Sequence, residues 1–326
     1  MLGTKGIDPV ELSKISSSLK GQRQLRIGLV NNMPDAALRN TELQFQDLLS
    51  AAAPGLAALL LFYLPGVPRG PAGQAHINAS YEPVTALYKD PVDALIVTGA
   101  VPVAADLTTE PYWREMTELI DWAKTHTIST IWSCLAAHAA VLHLDGVKRR
   151  PLGPKLSGLF VAQSVGEHSL IPGAPKKWIV PHSRYNELPE SELLDCGYTL
   201  LYRSDEANAD SFLKREKSLF VFLQGHPEYH AGTLLREYLR DISAFLAGSR
   251  DSYPDMPRHY FNAEAAAGFE DLRKRALGDR RRELLSEFPV AAIEAGLSQP
   301  WREPAARLYA GWLSYVAENM RVTVQP

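Results

Sequence analysis

Two residues in this chain have the types and surroundings for one covalent chemistry, Cys134 and His226. Cys134 stands in Ile131-Trp132-Ser133-Cys134-Leu135-Ala136-Ala137-His138, where an apolar, strand-like run gives way to an alanine-rich, helix-like one. A thiol at such a turn directs its sulfur at the start of a helix, where unpaired N–H groups and the helix dipole favour thiolate over thiol. His226 follows a second apolar run, Leu219-Phe220-Val221-Phe222-Leu223, and Glu228 stands two residues beyond it. A nucleophile, a base and a carboxylate that orients the base make a Cys-His-Glu triad, assembled at the ends of two strands. A cysteine among alanines is by default a small buried hydrophobe; the His-x-Glu after a strand is what lifts Cys134 above that reading.

The elements that must position these groups can be traced in the hydrophobic pattern. Residues 25–30, 58–64, 93–99 and 128–133 read as buried strands, and 41–53 and 113–125 as amphipathic helices. A Pro- and Gly-rich loop is expected at 65–73, with a helix near 81–88. This alternation predicts an α/β fold, a mostly parallel sheet flanked by helices. Ligands in such sheets bind beyond the carboxyl ends of the strands, so the loops after Val30, Val97, Ser133 and Leu223 should converge on one site. Short apolar runs between 155 and 202 predict a small antiparallel elaboration of the sheet. The charged, alanine-rich stretch 262–295 predicts one or two helices with a solvated charged face, and 301–316 a final helix. The division that follows is a polar arm at 1–24, an α/β catalytic domain at 25–252, and a helical C-terminal extension at 253–326 packed on the same domain.

Composition narrows the function classes. With 326 residues, 46% of them hydrophobic, the chain can bury a sizeable core. A net charge of −3 provides no basic field for nucleic acid. Two cysteines cannot make a disulfide framework and fit a reducing compartment. The polar residues 1–24 lack the apolar core of a signal peptide, and no run reaches membrane-span length, so a cytoplasmic protein is expected. No Cys/His spacing of metal-site type occurs, and neither a metal nor a bound cofactor is expected.

Several segments carry a family resemblance: Val30-Asn31-Asn32-Met33-Pro34 with Thr41-Glu42-Leu43-Gln44-Phe45, residues 93–100, Tyr112-Trp113, Ser133-Cys134, Pro154-Lys155-Leu156-Ser157-Gly158, Pro181-His182-Ser183-Arg184-Tyr185, and Gly225-His226-Pro227-Glu228-Tyr229 through Arg240-Asp241. In this order they resemble the homoserine O-acyltransferases of methionine biosynthesis, which are built on the class I glutamine amidotransferase-like, flavodoxin-like fold. The resemblance implies a ping-pong reaction. Cys134 attacks the thioester of an acyl-coenzyme A, here a co-substrate, and the hydroxyl of L-homoserine then takes the acyl group. His226 serves as base in both halves, and Glu228 fixes its tautomer. Backbone N–H groups of Leu135 and of Ala100, in the loop after Gly99, are the expected oxyanion donors.

The resemblance further implies that Lys155 and Ser183 lie near the acyl donor and that Arg240 clamps the amino-acid carboxylate, a task suited to a planar guanidinium. Without it, Arg240 reads as a helix arginine paired with Asp241 or Glu237, and Lys155 as a loop lysine. His138 and His182 are expected to be structural. A homodimer is also implied. The chain departs from the family at Leu135, where an aromatic residue is usual, at His138, where Gln is usual, and at Val103, where glycine accompanies succinyl transfer and glutamate acetyl transfer. Val103 carries no acid to repel the distal carboxylate of a succinyl group, which favours succinyl, although a narrower pocket would suit acetyl. Serine stays open as acceptor, since one methylene discriminates by only about 1–3 kcal/mol. A glutamine amidotransferase or hydrolase would share the triad but more commonly flanks its cysteine with glycines, and a non-catalytic binding protein would have no use for the full set.

Overall fold

The computed structural model describes residues 23–166 and 173–322; the arm expected at 1–24 lies outside these but for its last two residues. Chain order begins β1 (Leu25–Val30), α1 (Leu38–Ala52), β2 (Ala57–Tyr63), α2 (Pro71–Ser80), β3 (Glu82–Pro83), β4 (Ala94–Thr98), α3 (Trp113–His126), β5 (Ser129–Ser133) and α4 (Leu135–Asp145). It continues with β6 (Arg150–Ser164), β7 (Lys177–Glu187), α5 (Glu190–Asp195), β8 (Thr199–Ser204), β9 (Asn208–Arg215), β10 (Leu219–Leu223) and α6 (Thr233–Leu246), and closes with α7 (Ala263–Gly278), α8 (Glu283–Ser286), α9 (Val290–Ala295) and α10 (Arg302–Val322).

Among the described residues the strands form one sheet in the order β3-β2-β1-β4-β5-β10-β9-β8-β6-β7. From β3 to β10 neighbours run parallel, and from β10 to β7 they run antiparallel. This is the expected α/β architecture, and the antiparallel part continues the same sheet. Alternation along each buried strand splits the core into two layers. Leu25, Ile27, Leu29, Ile96, Ile131, Val221 and Leu223 face one way, against α1, α6, α7 and α10. Val30, Leu95, Val97, Trp132, Phe220 and Phe222 face the other, against α3 and α4.

Three sequence expectations need correction. The loop expected at 65–73 yields at Pro71 to α2, and the helix expected near 81–88 is a two-residue strand followed by a 3₁₀ turn, Val84–Tyr88. The Pro- and Gly-rich composition concealed α2, whose Pro71 sits at a helix start, the one place where its missing N–H costs nothing. Residues 262–295 form three helices rather than one or two, broken at Gly278 and at Pro289. Asn262 caps the first by accepting a hydrogen bond from the Ala265 N–H at 2.8 Å. Its apolar stripe of Phe269, Leu272 and Ala276 is buried in the sheet's first core layer, and the charged face pairs mostly with itself, as in Arg275–Glu287 at 2.5 Å. Arg280 departs from the solvated reading, with its guanidinium carbon 3.8 Å from the centre of the Phe245 ring.

Candidate active site

Register brings the functional turns to one level. Thr98 of β4 is paired with Ser133 of β5, which is paired with Leu223 of β10. The residues after these three positions, Gly99 and Ala100, Cys134, and the turn carrying His226, therefore leave the sheet side by side. Next to them, Asn32 joins the ends of β1, β2 and β4: its N–H donates to Thr98 Oγ1 at 2.8 Å, its amide to Thr98 O at 2.9 Å, and its Oδ1 accepts from the Leu64 N–H at 3.3 Å.

Cys134 occupies the turn between β5 and α4 with φ 50° and ψ −111°. A residue with a Cβ adopts that conformation only at a cost of about 1–3 kcal/mol, which the surroundings must offset. Two anchors do so. The Cys134 N–H donates to Leu223 O at 2.6 Å, tying its backbone to the strand that leads to His226, and Cys134 O accepts from the N–H of Ala137 at 3.0 Å, starting the helix. The result is a strained strand-to-helix elbow that lifts a side chain above the sheet. The close approach of β4 to this elbow depends on Gly99, where a Cβ would lie 2.4 Å from Leu135 Cβ and 2.9 Å from Leu135 Cα.

His226 Nδ1 lies 2.8 Å from Glu228 Oε1, and both side chains are buried. Burial alone would push the imidazole down. The charges of Glu228 and Cys134, and hydrogen bonds to both, outweigh it and raise His226 well above the usual histidine range. The Tyr229 ring stacks on the imidazole with centroids 4.3 Å apart and planes at 14°. The His226 N–H donates to Pro181 O at 2.8 Å. The turns after β5 and β10 thus bring Cys134, His226 and Glu228 together.

Lys155, Ser183 and Arg240 also converge, around two acids on one face of α6. Lys155 Nζ lies 3.1 Å from Asp241 Oδ2 and 3.6 Å from Glu237 Oε2; Ser183 Oγ donates to Glu237 Oε2; Tyr229 OH donates to Glu237 Oε1 at 2.7 Å. Arg240 meets Asp241 at 2.9 Å through Nη2, with its side chain 62% exposed. The pairing with Asp241 is the one foreseen for Arg240 as a plain helix arginine, and the exposed guanidinium retains donors for a carboxylate. Glu237 and Asp241 had been read only as partners for Arg240. Their spacing of four along a helix was the signal that both would face one cluster. A cavity of about 290 Å³ opens beside it, lined by Lys155, Tyr185, Asp241 and Arg250 among others. Val101 and Val103 stand exposed on the loop after Ala100.

Two further histidines, His138 and His182, are buried. His138 is buried with Nε2 3.2 Å from Gln224 Oε1, and burial pushes it down to about 3, so it stays neutral. His182 Nε2 is 3.0 Å from Asp210 Oδ1, off the hydrogen-bonding direction, and burial pushes the imidazole below the usual histidine range. Arg184 is a residue that sequence reasoning passed over. It is buried, donates to Asn186 O at 2.8 Å and Ala207 O at 2.6 Å, and has no carboxylate at ion-pair distance among the described residues. Burial pushes its guanidinium down, and the first charge that pushes back is Cys134. No group of His, Cys, Asp or Glu side chains among the described residues could hold a metal ion, and no helix there is long and apolar enough to cross a membrane.

The chain is similar to known proteins along most of its length. Residues 9–322 match the family model described as homoserine O-succinyltransferase. The chain is 45% identical over 299 residues to a homoserine O-succinyltransferase of Methylorubrum extorquens, covering 92% of this chain and 89% of that one. A homoserine O-succinyltransferase of Rhodopseudomonas palustris is 46% identical over 298 residues, covering 91% and 90%. Among solved structures, SMU.1228c superposes with a TM-score of 0.50 at 14% identity, over 90% of this chain and 100% of that one. A glutamine amidotransferase of Thermotoga maritima superposes with a TM-score of 0.47 at 13% identity, over 92% and 99%.

Proposed function

Because the chain belongs to the homoserine O-succinyltransferase family, we propose that Cys134 carries the succinyl group as a thioester between an acyl-coenzyme A and the hydroxyl of homoserine. The observation that carries this reading is the partly exposed Cys134 beside the buried His226–Glu228 pair, at the ends of two hydrogen-bonded strands. Cys134 gives its proton to His226 and attacks the donor thioester; the tetrahedral carbon collapses by expelling coenzyme A, whose thiolate takes that proton from His226 and leaves the imidazole neutral. Homoserine's hydroxyl then loses its proton to His226 as it attacks the acyl-cysteine, and the sulfur leaves. Glu228 balances the imidazolium formed each time, and Arg184 contributes a buried positive charge within electrostatic reach of the sulfur.

The N–H groups of Leu135 and Ala100, in turns packed together across Gly99, are suited to hold the oxyanion. Gly99→Ala forces those turns apart, and kcat is expected to fall about a hundredfold with a smaller change in KM and a lower melting temperature, readable by steady-state kinetics and thermal unfolding. Lys155, Ser183 and Arg240 form the substrate-facing cluster, with Arg240 exchanging part of its contact with Asp241 for the homoserine carboxylate. Val103, an uncharged residue on an exposed loop, is compatible with the second carboxylate of succinate. The two free thiols suit a reducing, cytoplasmic setting, and a homodimer is the assembly we propose from the resemblance.

The test is intact-mass spectrometry after mixing with succinyl-coenzyme A and no acceptor. A succinyl adduct at Cys134 that homoserine discharges, and serine does not, supports the reading. No adduct with either succinyl- or acetyl-coenzyme A refutes it.

A further inference from the structure

Between the helix that follows Cys134 and the turn that leads to His226 lies a buried polar pair that the acyl-transfer chemistry leaves unused, His138 of α4 and Gln224, the residue after β10. Gln224 is fastened from three directions. Its Nε2 donates to Ala209 O of β9 at 2.6 Å, and its Oε1 accepts from the Leu188 N–H ahead of α5 at 3.1 Å and faces His138 Nε2 at 3.2 Å. The first two partners settle which end of the amide is which, since a carbonyl pairs only with the NH₂ end and an N–H only with the oxygen. His138 must therefore present a donor. Burial, reinforced by the charges of Arg184 and Arg149, pushes it down to about 3, so it has a single proton to give. That proton sits on Nε2, and Nδ1, which has no hydrogen-bond partner, is the bare nitrogen.

The backbone closes a circuit around this contact. The His138 N–H donates to Cys134 O at 3.3 Å, the Cys134 N–H donates to Leu223 O at 2.6 Å, and Gln224 is the next residue after Leu223. The far side of the circuit is fixed in turn, because the Gln224 N–H donates to Asp210 O of β9 and the His226 N–H to Pro181 O of β7, each at 2.8 Å. We propose that the His138–Gln224 hydrogen bond is a positioning device for the reaction, bracing the Cys134 elbow from its helix side against the turn that leads to His226. The elbow needs such a brace, since φ 50° at a residue with a Cβ persists only where the surroundings enforce it. Rotation of the first turn of α4 away from β10 would carry the sulfur off the imidazole, and the bond to Gln224 opposes that rotation. His138 and Gln224 act through Cys134 and His226, setting the separation across which the proton passes.

This inference rests on the Cys134–His226–Glu228 reading, and the pair His138→Leu and His138→Gln separates the two. Failure to form any Cys134 thioester in the parent protein defeats the triad, whereas a thioester in the parent with unchanged His138→Leu kinetics defeats only the brace. Leucine fills the space without a donor, and kcat is expected to fall roughly tenfold, as for the loss of one hydrogen bond, with KM for both substrates within about twofold. Single-turnover formation of the thioester from succinyl-coenzyme A and its discharge by homoserine should slow together, since both need sulfur and imidazole in register. Glutamine restores an N–H that can reach Gln224 Oε1, and His138→Gln should regain most of the lost rate. Parent-like kcat in His138→Leu overturns the proposal. So does an equal loss in both variants, or a rise in KM alone, either of which marks a packing defect. If His138→Leu does not fold, nitrogen-15 spectra of the parent decide, with the His138 signals identified through His138→Gln. A protonated Nε2 and a bare Nδ1 are expected, and the opposite tautomer overturns the proposal.

Discussion

Cys134→Ala is expected to lower acyl transfer by at least about four orders of magnitude, the scale on which removal of a covalent nucleophile acts. The residual rate belongs to substrate binding and to the oxyanion donors, which the substitution leaves in place. The protein should fold as its parent does, because alanine keeps the Cβ and hence the same backbone cost at φ 50°. Two measurements separate chemistry from folding: succinyl transfer to homoserine by steady-state kinetics, and thermal unfolding of both proteins. The adduct on the intact chain must vanish as well. Cys196, the chain's other free thiol, terminates α5 away from the elbow in sequence, so Cys196→Ser should retain the adduct. An adduct that persisted in Cys134→Ala and disappeared in Cys196→Ser would overturn the assignment.

Glu228→Gln is expected to lower kcat by about three to four orders of magnitude, comparable to removing the orienting acid of a hydrolase triad. The glutamine is nearly isosteric, so its effect is electrostatic. In the parent, Glu228 is the foremost of the influences that raise His226 against its burial. Without that charge, burial dominates and the imidazole falls, losing the basicity that both half-reactions need. Stability should change with pH in a defined direction. A histidine whose folded value is raised stabilises the native state fully below its unfolded value, about 6.5, and loses that contribution as pH rises through the folded value. The melting-temperature difference between parent and Glu228→Gln should therefore be largest near pH 6 and shrink toward alkaline pH. A difference that grew with pH would contradict the raised histidine.

The parallel strands, and the place of Cys134 and His226 beyond their carboxyl ends, were legible in the sequence for one physical reason: strands buried on both faces leave nearly unbroken apolar runs, and a reactive residue type at their carboxyl ends stands out against them. Helix α2 was not legible, since Gly70, Pro71 and Gly73 are local signals for a loop, and only packing of Ile77 against Leu38 and Tyr81 makes the segment helical. Asn32 and Arg184 lay within segments quoted for family likeness, but nothing in the linear pattern tells that one staples three strand ends or that the other is buried with its guanidinium on backbone carbonyls. The acids around Lys155 were half visible. Their helical spacing could be read, whereas their meeting with β6 and β7 depends on strand order, which a sequence leaves open.

The bond from the Cys134 N–H to Leu223 O has a consequence for how the enzyme fails under heat. Active sites borne on loops commonly lose activity before the fold melts, because the loops open locally at low free energy. Here Cys134 and His226 issue from neighbouring strands in the middle of the sheet, and the last rung between those strands is made by Cys134 itself. Local fluctuation has no hinge with which to part them. Activity and the central sheet must therefore be lost in one cooperative step, and the amides of β5 and β10 should be among the last in the molecule to exchange their hydrogens with solvent.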